Sequence, residues 1–219
     1  MSHLIDQDDF NGLQTWVEKY DQRREQVIQI SRKIEKSSKQ AIFSLHRNDG
    51  AEAAARLQAA EAAIEELLPT VRGTPALRYG SFSRAMEEYA EAVVFRGYLV
   101  ERRLVPSSAV RHAEPEEYLG GVLDFTGELN RFAVLRATER DVAEVRRARD
   151  LVEAIFAAFI QFDLRNGALR KKYDALKYCL RKLENTLYEL SLTAAGLPVT
   201  LGGDRDKEPD ATETAAEES

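Results

Sequence analysis

Cysteine is almost absent from this sequence, with Cys179 standing alone among 219 residues. Such a chain forms no intrachain disulfide, carries no cysteine-based zinc cluster and fits a reducing compartment. Cys179 lies in a helical Lys-Tyr-Cys-Leu-Arg-Lys run and reads as a small packing residue. Histidine is nearly as scarce, and His3 and His112 read as surface residues. There is no serine or cysteine nucleophile paired with a base, no P-loop and no dinucleotide fingerprint. No apolar run approaches the ~18–20 residues of a membrane span. The N-terminus lacks the basic region and apolar stretch of a signal peptide. These absences lead to the expectation of a cytoplasmic protein that does not associate with membranes. Prolines number six and glycines twelve. Few breaks of this kind leave room for long helices.

Hydrophobic residues make up 44% of the chain and charged residues 31%, enough for a real core in a globular protein. The apolar positions recur with a helical period throughout, so the fold class is all-α. The pattern predicts a long antiparallel bundle of six or seven helices. Helix one should run from about Asp8 to Asn48, with Phe10, Leu13, Trp16, Val17, Tyr20, Val27, Ile30, Ile34, Ile42 and Leu45 on its stripe. Helix two should run from Ala51 to Leu68, ending at Pro69. Helices three and four should cover about Ser81–Leu104 and Glu116–Ala137. Helices five and six should cover about Asp141–Phe162 and Leu169–Thr193. One domain over 1–200 is expected, followed by a disordered acidic tail over 201–219. The net charge is −6. Residues 204–219 account for −5 of it and the rest of the chain for −1. A low overall charge therefore does not exclude a nucleic-acid partner, since local basic patches decide that.

Two helices carry an unusual polar face. On the fourth, Asp124 and Glu128 are four apart, so their carboxylates stack one above the other. Gly120 and Gly127 lie beside them, although a glycine inside a helix costs about 1 kcal/mol relative to alanine. Glycine there suggests that something comes close to the backbone. On the third helix Met86, Tyr89, Ala90, Val93, Gly97 and Val100 read as the core stripe. Glu88 and Glu91 share the opposite face with Arg84 and Phe95. A phenyl ring beside a glutamate pair suggests a face enclosed by another helix or subunit. Four hard oxygen ligands of this kind suit Mg²⁺ or Mn²⁺.

At these residues the chain resembles the translin family, and within it the catalytic branch of translin-associated factor X. Residues 31–47, Ser-Arg-Lys-Ile-Glu-Lys-Ser-Ser-Lys-Gln-Ala-Ile-Phe-Ser-Leu-His-Arg, resemble the first long helix of that branch. Residues 88–95 resemble its E-Y-x-E-A-V-x-F motif, and 124–131 its D-L-T-G-E-L-x-R motif. Residues 164–178 and 188–192 are closer to translin itself. The resemblance covers most of 10–195. It implies a helical bundle and an endoribonuclease that cuts RNA inside a hollow oligomer, an octamer. The metal ligands and catalytic groups it implies are Glu88, Glu91, Asp124 and Glu128. It also implies RNA contacts at Lys39 and His46, and we add Arg84 and Arg131 from the acidic faces. The short length and the lack of a basic N-terminal extension point to a self-sufficient homo-oligomer. A translin-like partner subunit and single-stranded DNA remain as further partners.

The basic residues fall in three groups, on helices one, five and six. Charge runs usually form solvated faces or pair with neighbouring acids, and helix six, including Lys172, is read that way. Four carboxylates with one or two divalent ions fit phosphodiester hydrolysis. Three other readings stay open: a silent nucleic-acid-binding protein of translin type, a ferritin-like di-iron protein and a purely structural bundle. The di-iron reading wants Glu-x-x-His motifs, and neither Glu88 nor Asp124 is followed by one.

Overall fold

The structure, a computed structural model, describes residues 4–197. The expected acidic tail and His3 lie outside the described residues. Within them there are six long helices and no strand: α1 (Gln7–His46), α2 (Gly50–Gly73), α3 (Ser83–Glu101), α4 (Pro115–Thr138), α5 (Val142–Phe159) and α6 (Ala168–Ala194). The all-α expectation holds, and each predicted helix is present.

The local chemistry explains the boundaries. Asp6 caps α1 by accepting from the amides of Asp8 and Asp9, and Asp49 caps α2 by accepting from Glu52. Asn48 takes the left-handed turn between them at φ 59°. Glu114 and Glu117 form a reciprocal capping box at the start of α4, with Pro115 in the first turn. Asp141 caps α5 through the amide of Glu144. One boundary differs from the sequence reading: α2 does not stop at Pro69 but continues to Gly73. A proline inside a helix removes one hydrogen bond. Here Leu67, Leu68 and Val71 are buried around it, and that packing holds the last turn in place.

Helix α1 packs on α2 and α3, α3 packs on α4, and α4 packs on α5 and α6. Short connections make successive helices antiparallel. Helix α3 is therefore covered on two sides, which explains its sequence. Met86, Ala90, Val94, Phe95 and Tyr98 are all buried, a wide apolar stripe of the kind that faces a core. Phe95 meets Phe125 and Phe132 of α4 at 6.2 and 6.4 Å between ring centroids. Its face is enclosed, as expected, and by helices of the same chain. Val100 was placed on the core stripe but is exposed, because Tyr98 takes the inward position in the last turn.

The other departure is at the front of α1. Phe10, Leu13, Trp16 and Val17 were read as core but are about half exposed or more. Burial on α1 begins at Val27. A helix of 40 residues paired with one of 24 overshoots it by roughly 24 Å at 1.5 Å per residue. The apolar stripe of α1 thus continues past the neighbours that could cover it.

Candidate active site

Helices α3 and α4 approach closely where the acids lie. A Cβ added at Gly121 would stand 2.6 Å from the Ala90 Cβ and 2.8 Å from both the Glu87 carbonyl oxygen and the Glu91 nitrogen. At Gly120 it would meet the Glu87 carboxyl at 2.8 Å. Gly120 is therefore explained by the approach of α3, not by room for a ligand. Gly127 has no neighbour within 4 Å, so the space above it is open.

This approach gathers the four predicted carboxylates. Glu91 is 8% exposed, and among the described residues it has neither an ion pair nor a hydrogen bond to its carboxyl. Burial, followed by the charges of Asp124, Glu88 and Glu128, pushes its pKa up to about 8 against a weaker pull from Lys172. Burial also raises Glu88, opposed by Lys39. Glu128 is lowered, first by its hydrogen bond from His46, with burial opposing.

Two lysines and a histidine from other helices answer the three remaining acids. The Lys39 Nζ of α1 is 3.2 Å from Glu88 Oε1. The His46 Nε2, also of α1, donates to Glu128 Oε2 at 2.5 Å, with its ring 4.8 Å from that of Phe95. The Lys172 Nζ of α6 donates to Asp124 Oδ2 at 2.5 Å and also to the Glu87 carboxylate. Burial works against the charge on Lys172, but its hydrogen bonds to Asp124 and Glu87 outweigh it and raise its pKa. A cleft of about 470 Å³ opens beside Lys172, lined in part by Glu116, Arg165 and Asn166.

The structure thus brings together Glu88, Glu91, Asp124, Glu128, Lys39 and His46. Arg131 is exposed and stands 3.7 Å from Glu128 Oε2, at the rim. Arg84 is exposed and joins no ion pair among the described residues, so it stays outside. Lys172 was left among basic residues that face solvent or pair with neighbouring acids, and the structure pairs it with Glu87 and Asp124 at the cluster. The signal was present: at 100° per residue Lys172 falls at the edge of the inward stripe of α6, about 20° from Leu183 and about 60° from Leu169. A lysine in that position needs a partner. Glu87 likewise shares the inward side of α3 with Ala90, Val94 and Tyr98.

The donor set fits a divalent metal in kind. It is all oxygen and all carboxylate, and it crowds Glu91 with three like charges that a bound cation, or a proton, relieves. The Lys172 ammonium already stands as a cation on Asp124. As the side chains lie, however, among the described residues no three His, Cys, Asp or Glu groups converge closely enough to hold an ion. Lys39, Lys172 and His46 draw three of the four acids toward themselves.

Fold and cluster together define an all-helical protein with a half-buried carboxylate cluster where α1, α3, α4 and α6 meet. The Translin family model matches residues 22–194, and the chain belongs to that family. It is 35% identical to translin of Gallus gallus over 96 residues, 44% of this chain and 42% of that protein. The chain thus spans under half the length of this curated relative. It is 24% identical to translin-associated protein X of Pongo abelii over 231 residues, 86% of this chain and 79% of that one. Its fold matches the structure of an AfC3PO–duplex RNA complex with a TM-score of 0.74 at 21% identity. That match covers 85% of this chain and 98% of the other. The expected family and bundle are both borne out. No helix among the described residues is long and apolar enough to cross a membrane.

Proposed function

We propose that this protein is a Mg²⁺- or Mn²⁺-dependent endoribonuclease that hydrolyses RNA phosphodiester bonds inside a hollow homo-oligomer. The observation that carries the reading is Glu91, buried without a counter-ion and pressed by three carboxylates from two facing helices. Four acids gathered on two facing helices, one of them buried, form an arrangement that a bound cation would stabilise. Membership of the Translin family supports the reading, as does the likeness to translin-associated protein X over most of the chain. The AfC3PO complex with duplex RNA adds the substrate class.

In this reading Glu88, Glu91, Asp124 and Glu128 would hold the metal. When bound, it would polarise a phosphoryl oxygen and supply an activated water. The chain's own groups do the remaining work. His46 fixes the orientation of Glu128 through its Nε2 hydrogen bond. Lys39 and Lys172 stand where a phosphate would lie beside the acids, and either can transfer its hydrogen bonds from carboxylate to phosphate oxygen. The walls of α1, α3 and α4 keep Glu91 away from bulk water, which strengthens every charge interaction in the site. The exposed apolar front of α1, with Trp16 at 60% and Leu13 at 51%, supplies a surface for further copies of the chain. An octamer is the expected assembly.

One observation favours a second reading. Three of the four acids already have an internal lysine or histidine partner, which suits a nucleic-acid-binding protein without catalysis. Incubation with labelled single-stranded RNA in Mn²⁺ and in EDTA separates the two. Internal cleavage that EDTA stops supports the nuclease, whereas retention of intact RNA in both supports the binding protein.

A further inference from the structure

One face of α1 remains unexplained by the core or by the carboxylate cluster. Arg32, Lys36, Lys39, Gln40, Phe43 and Arg47 fall within roughly 100° of the helix circumference at 100° per residue. The opposite face, with Ile34, Ala41, Ile42 and Leu45, is buried. A shallow groove of about 510 Å³ follows this outer face. Arg32, Lys36 and Arg47 form no ion pair among the described residues, and Glu35 is the only acid lining the groove. Residues 32–47 carry five cationic side chains and one acid. In the middle of this basic run Phe43 is 56% exposed, with the Arg47 guanidinium 5.6 Å from its ring centroid. The face continues directly into the site, since Lys39 reaches Glu88 and His46 reaches Glu128.

A phenyl ring left more than half exposed costs solvation. With Arg32, Lys36 and Arg47 on the same face, it suits a polyanion that also offers flat apolar faces. A single-stranded nucleic acid does so, because its phosphates meet the lysines and arginines while its unstacked bases meet the ring. A duplex keeps its bases stacked and cannot use the ring. We propose that Phe43, backed by Arg47, is a nucleobase-stacking platform, and that this face of α1 is the track along which a single-stranded stretch of RNA leads into the carboxylate cluster. The inference rests on the reading of the protein as one that acts on RNA. It adds the subsite that selects unpaired nucleotides.

The test is equilibrium binding of a short fluorescein-labelled single-stranded RNA to the full chain in EDTA, where no cleavage occurs. The same RNA as a duplex, and with abasic positions, serves for comparison. Phe43→Ala should weaken binding of the single strand roughly 5- to 100-fold. It should leave the duplex and the abasic strand unchanged, and Phe43→Trp should retain the affinity. Lys36→Ala should instead lower the salt-dependence slope by about one while weakening all RNAs alike. Phe43 is exposed, so Phe43→Ala should fold, which circular dichroism checks. If the wild type binds RNA and Phe43→Ala binds the single strand equally well, the platform is wrong and the nuclease reading stands. If Phe43→Ala lowers the oligomer mass in light scattering, the face is an interface between copies and the platform is likewise overturned. If the wild type binds no RNA, the functional reading falls and this inference falls with it.

Discussion

Replacing Glu91 by glutamine removes one charge and almost no volume, at the point where burial and like charge act together. The ordinary value for this carboxyl is 4.5, and in the folded protein it is pushed up to about 8. Below pH 4.5 both folded and unfolded chains hold the proton, and the contribution to stability is fully present. Between pH 4.5 and about 8 the unfolded chain releases it while the folded chain keeps it, so stability falls as pH rises. Above about pH 8 the loss is complete. At about 1.4 kcal/mol per pH unit the ceiling is about 5 kcal/mol, and water entering the site reduces it to an expected ~2–3 kcal/mol. Glu91→Gln has no such proton to lose. In EDTA at fixed protein concentration, urea unfolding should give nearly equal stabilities for wild type and variant at pH 5. At pH 9 the variant should be ~2–3 kcal/mol more stable, with a melting temperature higher by roughly 5–10 °C. Glu88 and Glu128 titrate in both proteins, so the difference between them isolates Glu91. Adding Mn²⁺ at pH 8 should raise the stability of the wild type more than that of the variant, because only the wild type regains a counter-ion. Parallel stability curves from pH 5 to 9 would refute the argument.

Gly121→Ala drives a methyl into the α3 backbone and should cost ~1–3 kcal/mol in a thermal melt, whereas Gly127→Ala, with open space above it, should gain up to about 1 kcal/mol. Lys172→Met removes the ammonium that competes for Asp124 and Glu87. It should tighten Mn²⁺ binding in isothermal titration, and unchanged or weaker binding would show that the lysine does not compete. Trp16→Glu places a charge on the exposed stripe of α1 and should lower the assembly mass in light scattering while leaving the helical spectrum intact.

The bundle was legible because each helix announces itself through an apolar stripe of helical period and a capping residue. The four acids were legible as two pairs because spacing on a helix fixes which side chains share a face. What the sequence could not supply is which face of one helix meets which face of another. Glycine beside the acids pointed to a close approach to the backbone, but not to what approaches: at Gly120 it is Glu87 of the neighbouring helix, and at Gly127 the space is open. Lys172 was lost in a run of basic residues because its meaning depends on α6 crossing α4, 48 residues away in sequence from Asp124. Trp16 and Phe10 carry the same apolar stripe as Val27 and Ile34, and periodicity cannot tell a stripe buried in its own chain from one left for another. Pro69 failed as a stop signal because packing around α2 outweighs one missing hydrogen bond.

The central claim is that carboxylates on α3 and α4 form a metal-dependent centre that cuts RNA. Its most direct test is single-turnover cleavage of single-stranded RNA with Mn²⁺ by the wild type and by Asp124→Asn, with an EDTA control. The account predicts internal cuts by the wild type that EDTA abolishes. It also predicts a rate lower by roughly 10³-fold or more in Asp124→Asn, with the helical spectrum and RNA binding retained. Equal rates in the two proteins, or cleavage that survives EDTA, would contradict it.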